Sequence, residues 1–113
     1  MTSIPYDDAI RAIVDDEPQI GLDMFEDALN ALFRGDVDEG RIHLREFVAS
    51  TIGFAELGRR LNKDPKNLMR ALSPRGNPTA SNLFEIIQAC TKAEGVTVTA
   101  HVQAASPHAP SPA

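Results

Sequence analysis

Apolar residues recur every three or four positions along most of the chain, which is the spacing of helices that bury one face. This spacing predicts helices over residues 5–14, 19–33, 37–51 and 80–93. Gly35, Gly53 and Gly95 follow three of these segments, where a glycine commonly ends a helix. The pattern therefore predicts an all-α fold.

Two of the predicted helices are preceded by capping signals. Asp36 with Glu39 three residues later has the spacing of a capping box in which Asp replaces the usual Ser or Thr. Thr79 can cap the helix over residues 80–93. The intervening segment SPRGNP, residues 73–78, contains two prolines and a glycine, which exclude a regular helix there.

Residues 54–72, FAELGRRLNKDPKNLMRAL, predict two short helices joined by a tight turn. Leu57 and Leu61 share one face of the first helix. Gly58 lies beside them, where a missing side chain lets a second helix approach. Asn62 occupies the turn, and Asn tolerates the left-handed conformation that such a corner needs.

The second of these helices begins with Asp64 as N-cap and Pro65 at the first helical position. The residues expected to face the core are Leu68, Ala71 and Leu72. Those left at the front and flanks are Lys66, Asn67, Met69 and Arg70. This layout predicts a helix-turn-helix whose second helix can enter the major groove of DNA.

Residues 96–102, VTVTAHV, alternate strictly between apolar and polar side chains and predict a β-strand. A lone strand needs a partner. It either pairs with its symmetry mate in a dimer, adds to the sheet of another protein, or packs back on its own helices. The remaining residues, 103–113, are rich in Pro, Ala and Ser and are expected to be disordered.

The length of 113 residues supports one small domain with one core. No apolar run reaches the roughly 20 residues of a membrane span, and the N-terminus lacks the features of a signal peptide. Cys90 is the single cysteine, so no internal disulfide can form, and we expect a cytoplasmic protein.

The formal net charge of −5 conceals two regions of opposite sign. Residues 1–40 contain eleven acids and two bases, a net charge of −9. Residues 41–113 contain nine bases and five acids, a net charge of +4, and six of those bases lie between residues 59 and 75. Such a chain can present one face to DNA and the other to a basic protein.

Three segments resemble the HigA-type antitoxins, which are helix-turn-helix proteins of the Xre-like class encoded with RelE/ParE-superfamily toxins. They are ALNALFRGD (28–36), LGRRLNKDPKNLMRALSPRGNPTASNLFEII (57–87) and EGVTV (94–98). The most specific feature is an L-x-R-A-L helix, then S-P-x-G-N-P, then a capped Leu-rich helix. The acidic N-terminal extension and the Pro/Ala tail depart from the family pattern.

The resemblance implies a lambda-repressor-like bundle of about five helices, to which a C-terminal β-strand can be added. The organisation expected is an acidic helical segment over 1–35, a helix-turn-helix domain over 36–95, a strand over 96–102 and a tail over 103–113. The resemblance also implies a function. Such antitoxins bind a small basic ribonuclease toxin that cleaves mRNA, and they repress the shared operon, often as homodimers on a palindromic operator.

The DNA-binding role carries over to individual positions of this chain. By position, the resemblance gives Lys66, Asn67 and Arg70 as base-contacting residues, since Arg or Lys pairs with guanine and Asn with adenine. The phosphate-binding candidates are Arg59, Lys63, Ser73, Arg75, Asn77 and Thr79. An ordinary solvated helix face is the alternative for the first set, and it is a stronger alternative for Arg59 and Arg60.

No catalytic or metal site is expected, and no cofactor. His43, His101 and His108 are far apart in the sequence, and Cys90 lies on an apolar helix face. The chain contains no nucleophile motif and no glycine-rich phosphate loop. The leading hypothesis is therefore an antitoxin and autorepressor. The alternatives are a solitary transcriptional regulator without a toxin, and an interaction adaptor that no longer binds DNA.

Overall fold

Six helices form the part of the chain that this computed structural model describes, residues 6–105. They are α1 (Tyr6–Asp16), α2 (Pro18–Phe33), α3 (Val37–Ser50), α4 (Phe54–Leu61), α5 (Pro65–Ala71) and α6 (Ala80–Glu94). The all-α prediction is confirmed, with six helices in place of about five. Over the described residues, no helix is both long and apolar enough to cross a membrane.

The centre of the core lies between α2 and α3. The rings of Phe25 and Phe47 stack with their centroids 4.7 Å apart, and Leu44 and Val48 are fully buried beside them. The same hydrophobic cluster extends into α4, α5 and α6 through the residues Leu57, Leu68, Leu72, Ile86 and Cys90. One continuous core therefore fixes the α4–α5 pair against the rest of the molecule.

Glycine and threonine end and begin helices where the sequence predicts. Gly35 takes a φ of +91° just after α2, and its N–H donates to the carbonyl of Leu32 at 3.1 Å. Gly95 ends α6 in the left-handed conformation. The hydroxyl of Thr79 accepts the N–H of Asn82 at 3.1 Å, so the predicted cap of α6 is confirmed.

The predicted capping box at the start of α3 is wrong. Asp36 is the N-cap residue, but its ψ of 67° departs from the extended conformation of a capping residue, and its side chain accepts no capping hydrogen bond. Its carboxylate instead lies 3.5 Å from Nε of Arg34. Glu39 contacts Nε2 of His43 at 3.3 Å, so both carboxylates have other partners.

The predicted β-strand over residues 96–102 is not formed within the chain, since the described residues contain no strand. Val96 donates its N–H to the carbonyl of Thr91 at 3.2 Å, and the chain beyond it is irregular. The side chains of Val98 and Val102 are 42% and 91% exposed. Among residues 6–105, the alternating segment has no second strand to pair with. Residues 106–113, which include His108 and most of the predicted disordered tail, lie outside the described part.

Candidate nucleic-acid interface

A closed turn joins α4 to α5. Asn62 adopts the left-handed conformation, with φ 54° and ψ 47°, and Lys63 donates its N–H to the carbonyl of Gly58 at 2.9 Å. A Cβ on Gly58 would lie 2.6 Å from the carbonyl oxygen of Lys63 and 3.0 Å from Cγ of Pro65. Glycine is therefore required at this position by close approach, as the sequence predicts.

The start of α5 is fixed by its cap. The carboxylate of Asp64 accepts the N–H of Lys66 at 2.9 Å, and Pro65 occupies the first turn. Leu68 and Leu72 anchor the inner side of the helix, where they are 4% and 0% exposed. The core therefore determines which side of α5 faces solvent.

The three predicted base-contacting residues, Lys66, Asn67 and Arg70, are all exposed on α5. Nη1 of Arg70 donates to Oδ1 of Asn67 at 3.3 Å, so these two side chains are neighbours one turn apart. Neither Lys66 nor Arg70 forms an ion pair with a carboxylate of the described residues. The structure thus exposes all three side chains on one short helix and leaves the positive charges of Lys66 and Arg70 without a carboxylate partner among the described residues.

Unlike the bases of α5, the two arginines of α4 have a carboxylate partner, because both form ion pairs with Glu56. Arg59 donates to its carboxylate from Nε at 2.7 Å and from Nη2 at 2.5 Å, and Arg60 donates from Nε at 2.9 Å. Lys63 in the turn contacts Glu85 of α6 at 3.0 Å. Arg59 and Lys63 are therefore already paired, and a DNA phosphate would have to compete with these carboxylates for them.

The other four predicted phosphate-binding residues lie in or next to the loop over residues 73–78, and they fall into two groups. The hydroxyl of Ser73 donates to the carbonyl of Arg70 at 2.7 Å, and that of Thr79 caps α6. Both hydroxyls thus have local structural roles. Arg75 and Asn77 are exposed, and Arg75 forms no ion pair among the described residues. Together with the three exposed residues of α5 they form what we call the α5 surface: Lys66, Asn67, Arg70, Arg75 and Asn77.

A buried arginine on α3 that was not predicted holds this loop. Arg41 is 4% exposed; its Nη1 donates to the carbonyl of Gly76, and its Nη2 donates to Asp38 at 2.5 Å. A Cβ on Gly76 would lie 2.3 Å from the carbonyl oxygen of Ala71, so the loop presses directly on the end of α5. The available signal was the position of Arg41, three residues before the buried Leu44 on the same apolar stripe.

Replacing Arg41 with methionine is expected to destabilise the fold by about 1.5–3 kcal/mol, the usual contribution of a hydrogen bond to a charged group. The carbonyl of Gly76 loses its donor, while the aliphatic part of the side chain is kept. Urea unfolding of both proteins measures the difference. Arg45→Met, on an exposed position of the same helix, is the control. Equal stability of wild type and Arg41→Met would contradict a structural role for this contact.

The cluster around Glu56 predicts a dependence of stability on pH. Hydrogen bonds from Arg59 and then Arg60 lower the pKa of the Glu56 carboxyl from 4.5 to about 2. Because the pKa is lower in the folded state, the contribution of Glu56 to stability is present above pH 4.5 and is lost as the pH falls toward 2. The thermal midpoint of Glu56→Gln should therefore lie below that of wild type at neutral pH, and the difference should disappear near pH 2.

Circular dichroism melts over this pH range measure that difference. In a background that carries Arg59→Gln and Arg60→Gln, the carboxylate has lost both of its partners. There, Glu56→Gln should leave the pH profile unchanged. A constant difference between wild type and Glu56→Gln at every pH would show that the ion pairs do not cause it.

The remaining titratable groups are not arranged as a reactive site in the described residues. No group of three or more His, Cys, Asp or Glu side chains there could hold a metal ion. Cys90 is fully buried, and burial, with a smaller contribution from the charge of Glu94, raises the pKa of its thiol to about 12. The thiol is therefore protonated at neutral pH and packs as an apolar group.

No protein-family model matches the sequence, and no curated protein or solved structure matches the chain. The interpretation of the α5 surface therefore depends on its own geometry. Asp64 caps the start of α5, and the buried Leu68 and Leu72 anchor its inner side. The loop over residues 73–78 packs against the end of α5 and is held by Arg41 of α3.

Proposed function

We propose that the chain is a sequence-specific DNA-binding repressor in which α4 and α5 form a helix-turn-helix of a lambda-repressor-like bundle. The observation that carries this proposal is a set of three exposed side chains on α5, Lys66, Asn67 and Arg70, in which neither base pairs with a carboxylate of the described residues. Helix α5 enters the major groove, where these side chains contact base edges. Arg75 and Asn77 contact the adjacent phosphates and fix the register of the protein on the duplex.

Binding to the DNA upstream of the chain's own gene tests this proposal. Gel shifts compare that DNA with a random duplex of the same length and base composition, at several salt concentrations. A repressor of this kind binds its own upstream region tightly at a salt concentration that removes it from the random duplex. Equal affinity for both duplexes would refute sequence-specific repression and favour the adaptor alternative.

The same proposal gives the chain a protein partner, a basic RelE-like ribonuclease toxin that it neutralises as the antitoxin of a type II toxin–antitoxin system. The support is electrostatic, because residues 8–39 of the described chain contain ten acids and two bases. Nearby, the side chain of Phe33 at the end of α2 is 72% exposed. An acidic surface with an exposed aromatic residue is suited to capture a basic protein.

The neighbouring gene separates the antitoxin from a solitary regulator. An adjacent reading frame for a small basic protein is expected. Its product should arrest growth when expressed alone, and co-expression of this chain should restore growth and allow the two proteins to copurify. An adjacent product that neither binds the chain nor is neutralised by it would leave a homodimeric repressor on a palindromic operator as the remaining function.

A further inference from the structure

An open groove runs along α2, on a part of the molecule that the DNA-binding proposal does not use. It has a volume of ≈ 890 Å³ and lies between one face of α2 and residues 96–103. Apolar side chains line both sides, with Leu29 and Phe33 from α2 and Val98 and Val102 from the C-terminal segment. Much of this apolar surface is open to solvent, since Phe33 is 72% and Val102 91% exposed.

The C-terminal side of the groove is a chain segment with free backbone groups. Residues 97–102 make no backbone hydrogen bond to any other described residue, although Val96 is tied to Thr91. Their sequence alternates between apolar and polar residues, so in a strand Val98, Ala100 and Val102 would share one face and Thr97, Thr99 and His101 the other. A segment with this alternation and free N–H and C=O groups can pair with the edge strand of another protein.

The α2 side of the groove is negatively charged. Asp23 and Glu26 lie along it between the apolar positions, and no Lys or Arg lines the groove, although His101 does. The carboxylate of Asp23 accepts only the amide of Gln19, and Glu26 forms no ion pair within the described residues. A positively charged partner is therefore complementary to this groove, and an acidic partner is excluded.

We infer that this groove is the docking site for a basic protein with a free sheet edge, which takes residues 96–102 as an additional strand. The new strand pair places apolar side chains of the partner against Leu29 and Phe33, and basic side chains of the partner beside Asp23 and Glu26. This inference rests on the antitoxin part of the proposed function, because that partner is the basic toxin. The net charge of the N-terminal region does not say where the toxin binds, whereas this inference places the toxin contact in one groove.

A second copy of this chain is a poorer occupant of the same groove. Pairing residues 96–102 of two copies across a two-fold axis would bring the acidic α2 helices of both copies toward each other. Like charges facing each other at an interface oppose association. Homodimers, where they form, are therefore expected to use another surface.

A proline scan of the segment tests the strand pairing directly, with the basic product of the adjacent gene as the probe. Consecutive residues of a strand direct their N–H groups to opposite edges, so only alternate positions donate to one partner. Among Thr97→Pro, Val98→Pro and Thr99→Pro, the loss of affinity should alternate, with one class weakened about tenfold relative to the other. The thermal midpoint of the free chain should not change, since these N–H groups have no partner in the described fold.

Charge reversal on α2 tests the other side of the groove with a matched control. Glu26 lines the groove, and its neighbour Asp27 does not, although both are exposed acids of the same helix. Glu26→Lys should weaken binding of the basic protein about tenfold, mainly through slower association at low salt, whereas Asp27→Lys should change it little. Both variants alter the net charge equally, so a general charge effect would lower both affinities alike.

Failure of this inference can be distinguished from failure of the antitoxin proposal. If the wild-type chain does not bind the basic product at all, the antitoxin proposal and this docking site are both rejected. If wild type binds and the proline series shows no alternation, or Glu26→Lys and Asp27→Lys are equal, only the docking site is rejected. Sedimentation of the free chain completes the test, because a dimer that the proline substitutions dissociate would assign the segment to a second copy.

Discussion

Replacing Arg70 with alanine is expected to lower the affinity for the chain's own operator about 5- to 150-fold, which corresponds to the roughly 1–3 kcal/mol of one bidentate base contact. Arg70 is exposed on α5, is in contact with Asn67 and pairs with no carboxylate of the described chain. The loss should be concentrated at one position of the operator. There, the variant should no longer discriminate between the four base pairs, because the contact that distinguishes them is gone.

Arg75→Ala should behave differently, although it removes the same charge. Arg75 lies in the loop that follows α5, where we propose a phosphate contact. Its loss should weaken binding by the same factor on every DNA sequence and should lower the slope of log affinity against log salt by about 1.

Fluorescence anisotropy titrations on a set of single-substitution operators, at four salt concentrations, measure both effects. Lys92→Ala, which removes an exposed base of α6 outside the α5 surface, is the control for net charge. If Arg70→Ala weakened binding to every operator variant equally, as Arg75→Ala should, then Arg70 would contact phosphate. The assignment of α5 as the base-contacting helix would then be wrong at this position.

Replacing Gly58 with alanine should destabilise the protein by about 1–3 kcal/mol, the usual cost of forcing an extra methyl group into packed surroundings. The sign of the change in stability is informative, because in an open helix the replacement of glycine by alanine stabilises by up to about 1 kcal/mol. At Gly58 the new Cβ would lie 2.6 Å from the carbonyl oxygen of Lys63. The backbone must then move to relieve this contact. That movement would disturb the hydrogen bond from the N–H of Lys63 to the carbonyl of Gly58, which lies in the same corner.

Gly21 of α2 provides the matched comparison, since it is also a buried glycine within a helix. A Cβ there would meet Cγ1 of Val14 at 3.0 Å, which is a side-chain methyl that can shift. Gly21→Ala should therefore change stability by less than about 1 kcal/mol in either direction. Urea unfolding of the three proteins measures the difference. A stabilised Gly58→Ala variant would show that α4 and α5 are not held at this distance in solution.

The corner between α4 and α5 is a part of the fold that local sequence preferences predict. Asn62, Asp64 and Pro65 specify a left-handed residue, a cap and a first-turn proline, and each takes its conformation through contacts with close neighbours in the chain. Such short-range preferences are present in the sequence itself. The pairing of Glu56 with Arg59 and Arg60 was predictable for the same reason, because residues three and four apart on a helix are neighbours.

Residues 96–102 show what short-range sequence patterns do not determine. The alternation of residues 96–102 is a correct description of their side chains, but a strand exists only when another strand supplies its hydrogen bonds. No other described segment does so, and the segment lies instead along the groove beside α2. The alternation therefore marks a segment that is able to form a strand, but it does not identify the strand with which it would pair.

From the sequence it is therefore possible to predict the all-α class, the ends of α2 and α6, the α4–α5 corner and the side of α5 that carries Lys66, Asn67 and Arg70. These features depend on periodicity and on contacts between residues close in the chain. Three other contacts are visible only in the folded chain: Arg41 of α3 holds the loop at Gly76, Glu85 of α6 forms an ion pair with Lys63, and residues 96–103 lie along α2. These contacts join residues far apart in the sequence, and their geometry is set by how the helices pack around one core rather than by any local preference.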